Sequence, residues 1–312
     1  MGSSTGYACD TVDPYNAWLA RVAVLDFNTV FVENSDRFPF EDFAEAFDPM
    51  QYMCLKVVFS PSDLGVPLFR NRTYGVAINL SDLVWLGPTT EHGIQAEFME
   101  IFKARTDIDA GVVLGQDSPE EYNALLEHLA RRRGYYLNVG SLPLSALLPP
   151  STADTWGFLQ QAFSKGELAD RMSPSGTVCA DISHLEERLR AGAWMPSPCK
   201  TSLMASVTKN RLFTFREIDS LMGWPSLPHA QCRPYQQCVP SAYWTASMQH
   251  RQQFLGNSMS LQQIAAFQLY VYSSVIRRET VCKMFPSLMW RSPPCSEKKP
   301  DERKDGAAKD EK

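Results

Sequence analysis

The chain has 312 residues, 44% of them hydrophobic and 21% charged, which allows one large domain or two modest ones and excludes a disordered or fibrous chain. No apolar run approaches the ~18 residues of a membrane span, and no basic, apolar and small-residue signal order opens the chain. Eight cysteines without a paired framework suit a reducing, intracellular compartment, and the net charge of −5 gives no overall attraction to nucleic acid.

Charge is nevertheless uneven along the chain. Residues 1–60 hold nine acids and three Lys/Arg, whereas residues 201–291 hold three acids and nine Lys/Arg. Such a split permits a local basic surface on an acidic protein. Residues 14–24 carry Trp18, Leu19 and Val22 at helical spacing, with Pro14 suited to a first turn. Val30, Phe31 and Val32 then read as a short buried strand that stops at Glu33-Asn34. In open parallel α/β sheets, ligands lie beyond the carboxyl ends of strands, which is where this reading puts Glu33 and Asn34. The plain alternative is a strand end with a solvated acid. Residues 39–47 read as a helix with Phe40, Phe43 and Phe47 on one face, and residues 51–60 read as a strand. A turn-rich loop containing Gly65-Val66-Pro67 precedes a strand predicted over residues 68–78. Arg70 and Arg72 would share one face of that strand, because side chains alternate with period two.

Residues 81–200 change character. Helices are predicted over 94–104 and 120–133, separated by loops rich in Pro, Ser and Thr. Asp117 or Ser118 followed by Pro119 is a sound helix start. Arg131-Arg132-Arg133 reads most simply as cations at a helix carboxyl end before Gly134, with a nucleic-acid patch as the alternative. Thr214-Phe215-Arg216-Glu217 is a capping box for a helix that stops at Gly223-Trp224-Pro225. Gly256-Asn257-Ser258 is read as opening a long helix to about Arg278, with Asn257 or Ser258 as cap and free amides suited to an anion. His229, Cys232 and Cys238 cluster, but Cys-x5-Cys is not a usual zinc spacing and no metal is expected. The charged tail 286–312 is expected to be disordered.

Taken in order, Glu33-Asn34, Gly65-Val66-Pro67 with Arg70 and Arg72, residues 211–225, and Gly256-Asn257-Ser258 resemble blocks of the DNA (cytosine-5) methyltransferases. The large gap between the second and third blocks falls where that family carries its target recognition domain. The resemblance covers about residues 12–80 and 200–280. It implies an α/β fold: the C-terminal half of a Rossmann-like S-adenosylmethionine-dependent methyltransferase sheet, interrupted by a mostly helical or irregular target-recognition insert. The divisions it implies are 1–80 and 201–285 for the partial catalytic domain and 81–200 for the insert.

The same resemblance implies a reaction in which a cysteine thiolate adds to carbon 6 of an extruded cytosine and carbon 5 takes a methyl group from S-adenosyl-L-methionine. It assigns Glu33 to the ring nitrogen of the base, Asn34 to holding the loop, Arg70 and Arg72 to steadying the nucleotide and the carboxylate, and Asn257 and Ser258 to the cofactor. The departures are as informative. Ser35 stands where the family often has Val, and Leu68 where it has Gln. No Phe-x-Gly-x-Gly cofactor loop is found, and no Pro-Cys nucleophile ahead of the first helix, because Cys9 follows Ala8 and lies too close to that helix. The chain alone is therefore expected to be inactive, a partial enzyme needing a missing N-terminal half or a complementing chain. DNA is the expected partner, with tRNA as an alternative substrate and the nucleus as the site of action if the substrate is DNA. A non-catalytic nucleic-acid-binding module derived from the same fold is the second reading.

Overall fold

The computed structural model describes residues 12–105, 107–136, 142–173, 175–184, 190–224, 243 and 245–285. The chain begins with α1 (Val12–Val24), β1 (Thr29–Ser35), α2 (Phe40–Ala44), β2 (Tyr52–Phe59), β3 (Arg72–Asn79), β4 (Leu83–Trp85) and α3 (Glu91–Phe102). It continues through α4 (Pro119–Arg132), α5 (Leu144–Leu147), α6 (Pro150–Ser164), β5 (Cys179–Asp181), β6 (Ala191–Gly192), β7 (Met204–Ser206), β8 (Arg211–Leu212) and α7 (Phe215–Leu221). It returns by α8 (Met248–Asn257), α9 (Leu261–Ser273), β9 (Val275–Arg277) and α10 (Arg278–Met284). The fold is α/β, as expected. No helix among the described residues is long and apolar enough to cross a membrane.

The first sheet has the order β1-β3-β2, and both pairings are antiparallel. β1 and β2 therefore run parallel to each other, with β3 reversed between them. Alternation along the strands sorts two cores onto its two faces. Leu55, Val57, Phe59, Tyr74, Val76 and Ile78 meet Ile94 and Phe98 of α3 and Phe267, Tyr270 and Val271 of α9. On the other face, Val30 and Ala77 meet Leu19 and Val22 of α1 and Phe40, Phe43 and Phe47. Gly75 is required here, because a Cβ would collide with the Phe40 ring and with Val32. A short ribbon of β4 and β9 closes the edge of this body.

A second body surrounds the four-stranded antiparallel sheet β6-β5-β7-β8. Its core joins Leu125 and Leu129 of α4, Trp156 and Leu159 of α6, Met204 of β7, Leu212 of β8, and Phe215, Ile218 and Leu221 of α7. Two expected boundaries move as a result. α3 belongs with the first sheet, so the first body extends past residue 80. β7, β8 and α7 pair and pack with β5 and α4, so residue 200 falls inside one hydrophobic core. The insert is mostly helical and irregular, as expected, and in addition contributes the short strands β5 and β6 to a sheet. Its strands of two or three residues are too short to show an alternation. The bodies meet where Leu68 and Met195 form a β-bridge, in which the Met195 carbonyl accepts the Phe69 N–H and the Met195 N–H donates to the Pro67 carbonyl.

Candidate active site

The β1–β3 register sets Glu33 opposite Tyr74 and Ser35 opposite Arg72. Glu33, Arg72 and Tyr74 therefore share one face near one end of the sheet, within diagonal reach of each other. Arg72 Nε lies 3.2 Å from Glu33 Oε1, and both side chains are largely withdrawn from solvent. Glu33 is inside β1, not beyond its end, and the pairing with β3 fixes where its carboxyl points. Asn34 faces the opposite side of the sheet. It is buried, and its Oδ1 accepts the Ser35 N–H at 2.8 Å, which holds the strand's exit.

Arg70 lies ahead of β3, so it does not share a strand with Arg72 as the sequence suggests. Its backbone N–H donates to Ser60 Oγ at 2.9 Å. Its guanidinium, 2% exposed, donates to the carbonyls of Pro198 at 3.0 Å, Gly256 at 3.3 Å and Ser258 at 2.7 Å. Arg70 thus joins the sheet to two distant segments, and its charge still acts on Glu33. Gln263 of α9 completes the join by donating to the carbonyls of Phe59 at 2.8 Å and Arg70 at 3.2 Å.

Burial pushes the Glu33 carboxyl above its ordinary pKa, against the opposing pull of Arg72 and then Arg70. Burial and the Glu33 charge push the Tyr74 phenol far up as well. Arg70 falls to about 10 through burial and its neighbour Arg72, with Glu33 working in the other direction. Tyr74 Oη, Arg70 Nε and Gln263 Oε1 are buried without a hydrogen-bond partner among the described residues, and Glu33 Oε1 has only its ion pair with Arg72. Each such atom ordinarily costs about 1–3 kcal/mol, and unmet groups gathered in one place mark polar capacity available to a ligand or water. A carboxyl that retains its proton can donate it to a ring nitrogen, and the guanidinium groups supply compensating charge.

Asn257 and Ser258 are placed differently from expectation. Asn257 is the last residue of α8 and Ser258 its carboxyl cap, while α9 starts after Ser260 and ends at Ser273. The Arg70 guanidinium holds the carbonyls of residues 256 and 258, and a helix end satisfied in this way cannot also be a helix start. Gly256 serves close approach, because a Cβ there would collide with the backbone of Cys199 and Lys200. The Ser258 hydroxyl donates to the Leu255 carbonyl at 2.9 Å, and the first α9 amide, Leu261 N–H, is taken by the Met222 carbonyl at 2.8 Å. These two positions do not form an amide-lined anion cradle, and as placed they do not fit the methionine carboxylate of the cofactor.

Three further residues belong to this corner. Tyr74 was within reach of the period-two argument, two positions beyond Arg72. Gln263 carries no local signal, since its partners lie about 200 positions away. Pro198-Cys199 is a Pro-Cys dipeptide that follows the Glu-Asn block instead of preceding it. Its thiol is exposed and within 3.8 Å of the Ser197 carbonyl, and the adjoining Pro198 carbonyl is the one that accepts from Arg70. The second such dipeptide, Pro294-Cys295, and the His229/Cys232/Cys238 cluster lie outside the described residues.

No protein-family model matches the chain, and no curated protein matches it. Among solved structures, a mutant of Spodoptera frugiperda DNMT2 aligns at 14% identity and TM-score 0.41, over 83% of this chain and 71% of that one. The Entamoeba histolytica methyltransferase EhMeth aligns at 17% identity and TM-score 0.40, over 79% of this chain and 62% of that one. Likenesses at this level carry no weight for fold, substrate or activity.

Proposed function

We propose that this chain takes part in S-adenosyl-L-methionine-dependent methylation of carbon 5 of cytosine in DNA, working in the nucleus. The observation that supports this reading is the Glu33 carboxyl, largely withdrawn from solvent, raised in pKa, paired with Arg72 and set opposite Tyr74 in the strand register. Cytosine resists addition at carbon 6 until its ring nitrogen is protonated or hydrogen-bonded. Glu33 holds a proton for that nitrogen, Arg72 keeps the carboxyl in place, and Arg70 holds the Pro198 and Gly256 segments against the sheet. An extruded base loses a few kcal/mol of stacking and needs such a polar clamp. S-adenosyl-L-methionine supplies the methyl group when bound. Asn257 and Ser258 do not form its site unaided, so a glycine-rich cofactor loop from another segment completes it.

Cys199 is the one thiol that the described residues place at this corner, and it decides between two forms of the proposal. The test is methyl incorporation from tritiated S-adenosyl-L-methionine into cytosine-containing duplex DNA and into tRNA. The assay uses the chain alone and the chain with an added methyltransferase N-terminal half. Transfer that requires the added half and is lost in Glu33→Gln supports a partial enzyme. Transfer by the chain alone that is lost in Cys199→Ala makes it self-sufficient. Unchanged turnover in Glu33→Gln removes Glu33 from the mechanism. Methylation of tRNA but not DNA would select the alternative substrate.

A further inference from the structure

The core of the second body opens at one point into a cavity of about 430 Å³, which falls in the small-molecule range. Its lining includes the buried apolar side chains of Leu129, Leu147 and Phe215, beside polar Thr152, Ser183 and Gln252. It is bordered by His128, Arg132 and Arg133 from one end of α4, and among the described residues no Asp or Glu lines it. A position at a helix carboxyl end accounts for cations in this turn, but not for two of them bordering one cavity. Arg131 spends its charge on Glu127 at 3.0 Å, whereas Arg132 and Arg133 make no ion pair with any described residue. Burial, and after it the charges of Arg132 and Arg131, push the His128 imidazole down.

We propose that this cavity binds a phosphate monoester of an apolar group, with the apolar body on Leu129, Leu147 and Phe215 and the phosphate among His128, Arg132 and Arg133. Two forked guanidinium groups and an imidazole match the three terminal oxygens of a phosphate better than the two of a carboxylate. The site is separate from the Glu33 corner, and its occupancy does not depend on methyl transfer.

The test is isothermal titration of the whole chain with 1-naphthyl phosphate, and separately with 1-naphthol and with inorganic phosphate. One-to-one binding of the ester, at least about tenfold tighter than either half alone, is expected if body and head bind together. Arg132→Gln with Arg133→Gln, both at exposed positions, should weaken the ester about tenfold or more. Thr201→Trp at the exposed mouth should weaken it comparably by occlusion. Unchanged thermal melting of both variants shows that the fold is intact. Absence of one-to-one binding, inorganic phosphate binding as tightly as the ester, or an ester affinity unmoved in both variants would each overturn the proposal.

Discussion

Two Glu–Arg pairs among the described residues, Glu217–Arg211 and Glu33–Arg72, are both largely withdrawn from solvent and differ in what is left over. Glu217, fully buried, has both oxygens occupied. Oε1 accepts the Gly115 N–H at 2.6 Å and lies 3.1 Å from Arg211, and Oε2 accepts the Thr214 N–H at 2.9 Å and an Arg211 N–H at 3.3 Å. Arg211 in turn lies over the Tyr122 ring at 4.4 Å. Among the described residues Glu33 makes one ion pair, with Arg72, and shares its face of the sheet with a Tyr74 phenol that has no described hydrogen-bond partner. A saturated carboxylate holds structure together, and an unsaturated one has capacity left for something else. Burial raises the pKa of both, so the titration behaviour alone would not have separated them.

The largest test of this contrast is Glu217→Ala. It leaves Arg211 buried without its counter-charge and two amides without an acceptor, so a loss of about 3–5 kcal/mol is expected in a denaturant titration. Glu33→Gln should reverse the profile. Stability should stay within about 1 kcal/mol of the parent, while methyl transfer in the complemented assay falls about 10²-fold or more.

A third buried acid sharpens the comparison through pH. Burial lifts Asp219 from 3.8 to about 7, against the Tyr243 hydroxyl that donates to it and the charges of Arg251 and Arg216. Between about pH 4 and 7 the folded chain keeps a proton that the unfolded chain releases. Stability therefore falls as pH rises through that window, by up to about 1.4 kcal/mol per unit, and levels off above it. Asp219→Asn should remove that slope in a pH series of urea melts. The smallest effect is expected for Tyr74→Phe. Removing a hydroxyl with no hydrogen-bond partner among the described residues should leave stability unchanged or raise it by a few tenths of a kcal/mol, whereas Thr214→Ala should lose about 1 kcal/mol.

The parts that were legible in the sequence rest on local pattern. Ser118 caps α4 with Pro119 in its first turn, and the Thr214/Glu217 box forms with both of its bonds. β1, β2 and the start of α1 follow the apolar spacing. Local pattern could not show that Glu217 would also take an amide from Gly115, 102 positions away. Nor could it rank Asn257, Ser258 and Ser260 as caps, since the choice is made by a guanidinium arriving from residue 70. The Glu33–Arg72 pair was expected from the resemblance, and the register gives it a physical basis. Arg70 was expected beside Glu33 and is found bonded to carbonyls on other segments.

Arg70's bonding has one further electrical result. A guanidinium gripped by carboxylates is neutralised where it sits, but one gripped by carbonyl dipoles at Pro198, Gly256 and Ser258 is anchored while its monopole survives. The fold has thereby installed an immobile positive charge at the seam between its two bodies. Any electron-rich group entering there meets a field set in advance, with no side chain left to swing into place.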